Sequence, residues 1–412
     1  MSNKSAVVLV IDGLSARFLG PYANAWFGTE QFDRLASQSM LAEFAFSDST
    51  DLLGSYQSLW GLGPKFAGLR KSSSETMPET APENELIKRL GQHGVSSTLF
   101  TDEQQLGEYE PLVKQFERVI CEPLPPTERA ANSESETGLA TFFAKALEHT
   151  GQLGPGEILW LHSKGLSGSW DAPYDLRCQF AADEDPEPPE FVTPPQAETD
   201  ADGLDPDELL GYQQSCAAQI VLLDRFLGIL LDRLDSIPDS DKPFFVLTST
   251  RGFPLGINRF VGQPEKSLYD DATQVPLLAR WPDQKYAMQR NQSLVYSSVV
   301  GSLLTEWFGL EMNSENQWIE SPLAERQREF IFSVAENRSS LRTHGWKLIR
   351  DDEQDQLFVK PDDRWDLNDV IRKCRNVGEE LSELAETIES EIQTSGVPNG
   401  RELPEELATN LQ

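Results

Sequence analysis

Ala6-Val-Val-Leu-Val-Ile-Asp-Gly-Leu14 is an apolar, largely β-branched run that stops abruptly at a carboxylate and a glycine. Val246-Leu-Thr-Ser-Thr-Arg-Gly252 follows the same plan with a cation near its tip. Such runs are the pattern of strands buried on both faces of a parallel sheet. In open α/β sheets, ligands bind just beyond the carboxyl ends of the strands. The two stretches therefore predict one edge to which Asp12 and Arg251 are both delivered. One carboxylate and one cation make a thin donor set for a metal enzyme.

Outward from these strands the chain alternates. Thr29 is placed to cap a helix through Phe32, Leu35 and Ala36, with Glu30 in its first turn. Glu83 to Leu90 reads as a helix closed by Gly91 and Gly94, leading into the strand Val95 to Asp102 with its polar tip. Leu139 to His149 is an amphipathic helix, and Gly156 to His162 the next strand. The β-α-β-α order argues for an α/β fold with a mostly parallel sheet and right-handed crossovers.

Residues 182–208 interrupt this with a run of Asp, Glu and Pro, which reads as an exposed, extended loop. A solvated face is the plain reading; a lid over the site is the alternative. A long helix, Glu208 to Asp235, follows with Leu222, Leu223, Phe226, Leu227, Leu230 and Leu231 at helical spacing. Val275 to Trp281 is another strand, and Ser297 to Gly309 a buried helix ended by glycine. From about Ser321 short strands take over, at Phe330–Val334, Trp346–Ile349 and Leu357–Val359, and an acidic amphipathic helix begins near Gly378. The expected division is 1–320 as the α/β domain and 321–412 as a C-terminal subdomain with an acidic helical tail.

The 412 residues suffice to bury a large core, and a hydrophobic share of 39% argues against disorder. No continuous apolar run approaches the ~20 residues that cross a bilayer. Met-Ser-Asn-Lys-Ser leads straight into the first strand, which argues against a secretory signal. Cys121, Cys178, Cys216 and Cys374 lack CxxC spacing and read as free thiols, so the expected location is cytoplasmic. A net charge of −32 disfavours nucleic acid and anionic membranes as partners, and sits awkwardly with an anionic polymeric substrate.

Taken in order, the stretch to Leu14, Gly20-Pro-Tyr-Ala-Asn24 and Thr29-Glu-Gln-Phe-Asp-Arg-Leu-Ala36 resemble the opening of a sulfatase of the alkaline-phosphatase superfamily. That family begins with a strand ending in Asp, a Gly-x-Tyr-Gly turn and a Thr-Pro-Asn-Leu-Asp-Arg-Leu-Ala helix. Leu247-Thr-Ser-Thr-Arg-Gly-Phe-Pro-Leu-Gly256 is similar to its Thr-Ser-Asp-His-Gly-x-x-Leu-Gly segment. Leu268-Tyr-Asp-Asp-Ala-Thr-Gln-Val-Pro-Leu-Leu-Ala-Arg-Trp-Pro282 is similar to its Tyr-Glu-Glu-x-x-Arg-Val-Pro-Leu segment. Leu341 to Ile349, with Gln356-Leu-Phe, resembles its C-terminal strands. The resemblance implies a central sheet flanked by helices and a small antiparallel C-terminal subdomain.

It also implies a hard divalent cation held by oxygen ligands, and a formylglycine nucleophile made from Cys or Ser in a Cys/Ser-x-Pro-x-Arg motif. Lys, His and Arg donors would neutralise the sulfate. Carried over residue by residue, Asp12 is the retained metal ligand, but Gly13 follows it and Thr250 and Arg251 stand where Asp and His or Asn belong. In Phe46 to Gly61, anchoring on Gly61 puts Asp51 at the nucleophile position; a one-residue slip offers Thr50, and no Cys is present. Lys266 matches the family's lysine, Asp171 falls loosely at its His-x-Pro-Tyr histidine, and His162 and Lys164 lie close by in sequence. Of the four histidines, His162 is the one expected to face the cleft.

A guanidinium would repel a divalent ion, so Arg251 is expected to fill the metal position and pair with Asp12, and with Asp51 as a further candidate. The leading reading is a sulfatase-like protein with an eroded site, catalytically impaired, binding a small anion or a protein partner in the cleft. No cofactor is expected, with Ca²⁺ the ion if the metal site is retained. Two alternatives stay open. One is an active metal-dependent hydrolase of sulfate or phosphate esters using Asp12, Asp51 or Thr50, His162, Lys266 and Arg251; the other is an interaction protein working through the acidic loop.

Overall fold

Strict alternation governs the strand β1 (Ala6–Ile11): Val7, Leu9 and Ile11 enter one buried cluster, Ala6, Val8 and Val10 the other. A strand apolar on both faces belongs inside a sheet covered on both sides. The computed structural model describes residues 4–67, 69, 84–125, 127–190, 192–195, 199–200, 205–258, 260–262, 267–310, 328–336, 338–351 and 354–409.

The further strands are β2 (Met40–Phe46), β3 (Ser96–Thr101), β4 (Arg118–Cys121), β5 (Glu157–Ser163), β6 (Thr199–Asp200), β7 (Phe244–Thr248), β8 (Phe260–Val261), β9 (Leu277–Arg280) and β10 (Gln289–Tyr296). Seven of them join β1 in one sheet in the order β10-β2-β9-β7-β1-β5-β3-β4. β9 runs antiparallel to both of its neighbours; the other pairings are parallel. β6 and β8 make a separate two-stranded ribbon. The expected α/β class with a mostly parallel central sheet is what the protein adopts.

On the Val7/Leu9 face lie the helices Gly138–Gln152 and Pro206–Asp235; on the other lie Leu52–Trp60, Glu85–Gln92 and Val299–Phe308. Pro206–Asp235 is long and apolar enough to span a bilayer, yet 78% of its apolar window is buried, so it serves as a core helix. Each buried aliphatic side chain in these clusters contributes roughly 1.5–3 kcal/mol. Of the 182–208 segment, residues 191, 196–198 and 201–204 lie outside the described set.

Near the C-terminus, β11 (Phe330–Ala335), β12 (Arg338–Thr343), β13 (Trp346–Arg350) and β14 (Gln356–Val359) form an antiparallel meander. The helix Arg375–Ser395 lays Leu381, Ala385, Ile388 and Ile392 against it, a spacing that gathers them on one face. The 320/321 boundary expected between the domains lies outside the described residues.

A buried ion network docks the meander onto the main sheet. Lys347 Nζ lies 2.6 Å from Asp270 Oδ1 and 2.9 Å from Asp366 Oδ2. Lys360 Nζ completes the square at 2.8 Å from Asp270 Oδ2 and 2.6 Å from Asp366 Oδ1. Asp270 belongs to the Tyr-Asp-Asp segment read from sequence, so that motif serves architecture here.

Candidate functional site

Continuing the alternation of β1, Asp12 falls on the face of Val8 and Val10, beneath the helix Leu52–Trp60. Thr248 of β7 and His162 of β5 both stand opposite Val10 in register. Thr250 and Arg251 therefore arrive beside Asp12 from one side and His162 from the other. Gly13 turns the chain with φ +78°, where an added Cβ would sit 3.0 Å from Leu166 Cβ.

Asp12 and Arg251 form a forked pair, as the sequence reading expects. Arg251 Nε donates to Asp12 Oδ1 at 3.0 Å and Nη2 to Oδ2 at 3.1 Å, while Nη1 donates to the Thr50 carbonyl at 2.9 Å. Thr250 Oγ1 adds a short hydrogen bond to Asp12 Oδ1. Both charged side chains are buried, 7% and 2% exposed for Arg251 and Asp12, so water screens the pair little. Burial raises the pKa of Asp12, but the charge and hydrogen bonds of Arg251 outweigh it, and the net shift is downward.

His162 is fully buried, and desolvation pulls its pKa down to about 4 despite the nearby Asp12 carboxylate. It is neutral at pH 7. Trp160 Nε1 donates to Tyr56 Oη at 3.4 Å, and Tyr56 Oη lies 2.7 Å from His162 Nδ1. Burial holds the Tyr56 pKa well above its ordinary value, so the phenol keeps its proton and donates it to Nδ1. That assigns the imidazole proton to Nε2, which is buried without a hydrogen-bond partner among the described residues.

Of the other candidates, Thr50 is buried and adjoins the pair through its carbonyl. Asp51 is exposed and caps the helix Leu52–Trp60, its Oδ2 accepting from Gly54 N–H at 2.7 Å. That geometry gives it a helix-capping task. Lys266 lies outside the described residues. Asp171 also caps a helix, Oδ2 accepting from Gly138 N–H at 2.7 Å. Lys164 reaches Glu103, at 3.4 Å.

Three buried groups escaped the sequence reading. Asp102, just past β3, accepts from Lys164 N–H at 2.6 Å, and burial pushes it up to about 7. Its signal was the one that singled out Asp12: a carboxylate at the end of an apolar strand. Asp48 accepts from Ser58 Oγ at 2.7 Å and from the backbone of Lys65 and Phe66 at 2.8 Å, pinning the loop before the helix Leu52–Trp60. Tyr56, the third, had no sequence signal beyond helical spacing.

These residues do not fit a divalent cation. Both oxygens of Asp12 face a guanidinium, and its Oδ1 also receives Thr250. Among the described residues no group of three or more His, Cys, Asp or Glu is gathered to hold a metal ion. The arrangement is suited to holding three chain segments rigidly together, with a neutral imidazole buried beside a neutralised carboxylate.

The sulfatase family model matches residues 4–310. Among solved structures, a putative sulfatase from Bacteroides thetaiotaomicron VPI-5482 is similar with a TM-score of 0.71 at 15% identity, over 98% of this chain and 96% of that one. The phosphonate monoester hydrolase of Agrobacterium radiobacter gives 0.71 at 14%, over 97% and 100%. A third structure, solved with its substrate D-glucosamine-2-N,6-O-disulfate, gives 0.68 at 14%, over 95% and 98%. No curated protein matches by sequence. By its matched span, and in agreement with its sheet order and strand-end motifs, the chain belongs to the sulfatase family.

Proposed function

We propose that this sulfatase-family chain does not run metal-dependent ester hydrolysis and works as a binding protein through its strand-end cleft. The observation that carries this is the buried fork of Arg251 on Asp12. A divalent ion ligated by Asp12 would sit within a few ångströms of the guanidinium. Two unit charges 4 Å apart repel by about 4 kcal/mol at an effective dielectric of ~20, and a divalent ion doubles that. Asp12 is already neutralised by a partner that cannot lose its charge near pH 7. A reducing compartment suits the four free cysteines and belongs to the same proposal.

The test is calorimetric titration of Ca²⁺, Mg²⁺ and Mn²⁺ into chelator-treated protein, with 4-nitrophenyl sulfate and phenylphosphonate esters assayed in parallel. No one-to-one binding and no turnover above buffer are expected. One-to-one binding, or turnover, that disappears in Asp12→Ala would overturn the reading and restore the hydrolase.

A further inference from the structure

A cavity of about 230 Å³ opens between the chain that follows β1 and the helix Pro206–Asp235. Phe18, Phe27, Ile220 and Leu255 in its wall belong to the core cluster of Val7 and Leu9, so it lies on the opposite face of the sheet from the Asp12–Arg251 fork. Sites for drug-sized ligands span ~300–1,000 Å³, which leaves this one room for about one ring and a short polar end.

Its lining departs from the chain at large. Against 67 acidic and 35 basic residues overall, the wall carries the cation Arg17 and no carboxylate among the described residues. Phe18, Trp26 and Phe27 supply aromatic surface, and Trp26, 51% exposed, forms the rim. Asn24 fixes this turn: its Nδ2 donates to the Phe18 carbonyl at 2.9 Å and its Oδ1 accepts from Trp26 N–H at 3.1 Å. The aromatic wall is therefore shaped before any ligand arrives.

Arg17 is the group short of a partner. Its side chain is 18% exposed and makes no hydrogen bond among the described residues. Its ion partner Asp271 lies 3.8 Å from Nη1, beyond hydrogen-bond reach. The guanidinium sits 5.4 and 5.8 Å from the ring centres of Phe18 and Trp365, contacts that satisfy none of its five N–H groups. Its charge reaches Cys216 in the same wall, where it opposes the rise that burial imposes on the thiol pKa. A largely buried cation with open donors lacks what a carboxylate supplies, two hydrogen bonds to one guanidinium.

We propose that this cavity binds a small aromatic monocarboxylate, its carboxylate on Arg17 and its ring against Trp26 and Phe27. The small anion expected from sequence is thus assigned to Arg17 and not to the fork, where Asp12 already engages Arg251. Binding at Arg17 does not depend on whether the fork excludes a metal ion, since the two lie on opposite faces of the sheet.

Four probes separate ring from charge: phenylacetate, the neutral phenylacetamide, the cation phenethylamine, and acetate, which has the charge without the ring. Each is titrated calorimetrically into the full chain in chelator at low salt. Phenylacetate is expected to bind one-to-one, and the other three at least tenfold more weakly. Trp26→Ala, at an exposed position, should weaken phenylacetate at least tenfold with the melting temperature kept. Arg17→Met combined with Asp271→Asn removes both charges together and should bring phenylacetate to the level of its amide. Absence of phenylacetate binding, equal affinity for any of the other three probes, or full affinity in either folded variant would overturn the proposal. If the double variant does not fold, the probe ranking and Trp26→Ala decide it. Silence of phenylacetate leaves the reading of the fork standing, whereas metal binding with turnover removes that reading and leaves the Arg17 site to its own titration.

Discussion

Arg251 has Nε, Nη1 and Nη2 each engaged, two on Asp12 and one on the Thr50 carbonyl. Removing one partner of such a pair leaves the other charge buried and uncompensated, which costs roughly 3–5 kcal/mol. Arg251→Met is therefore expected to lower unfolding free energy by about that amount in urea titrations. The double variant Asp12→Leu/Arg251→Met should recover most of it. Two nearby titrating groups act on stability in opposite directions. The His162 pKa falls to about 4, so its contribution is full above its unfolded value near 6.5 and is lost as pH falls through that window. Asp102 rises to about 7, so its contribution is present below about 4 and is lost as pH climbs through 7. Urea melts at pH 5 and pH 8 should thus show Asp102→Asn gaining on the parent protein at the higher pH. Equal differences at both would refute the burial assigned to Asp102. The Asp12–Arg251 pair was legible in sequence because both residues end apolar strands. The burial of Asp102 was not, since it depends on the chain at Lys164, which reaches it from the end of β5.

Among the elements, the helix Leu52–Trp60 starts on the Asp51 cap, and Asp51→Ala is expected to cost about 1 kcal/mol, read by thermal melting. A nucleophile would instead be betrayed by loss of activity with unchanged stability. The loop after β7 depends on Gly252, where an added Cβ would lie 2.0 Å from the Asp271 carbonyl. The meander depends on its ion square: Lys347→Met should lower stability by roughly 3–5 kcal/mol, with hydrogen exchange rising first in β11 to β14. Asp270 has its pKa driven down by Lys347 and Lys360 against the cost of burial, so that support is present above about pH 4 and lost in acid. Strand legibility followed position in the sheet. β1, β5 and β7 lie inside it and read as continuous apolar runs. β10 and β4 form its two edges, and Gln289-Arg-Asn-Gln-Ser and Arg118 carry the polar texture of exposed edges, so neither was read as a strand. β2 is interior, but Glu43 breaks its apolar run, and it too went unread.

At the scale of the whole molecule, a net charge of −32 sets a long-range self-repulsion that local pairs do not cancel. Raising NaCl from about 20 to 300 mM shortens the screening length well below ~20 Å and should raise the melting temperature by several degrees. A falling melting temperature would mean that the specific pairs outweigh the net field. The fork between β1 and β7 has a further consequence for how the protein is made and kept. A diffusible ion obeys mass action: its occupancy follows supply, competition and chelation, and a fold leaning on it inherits those fluctuations. Arg251 is translated with the chain, so its charge is present in every copy at the same stoichiometry, from the ribosome onward, whatever the composition of the surrounding fluid.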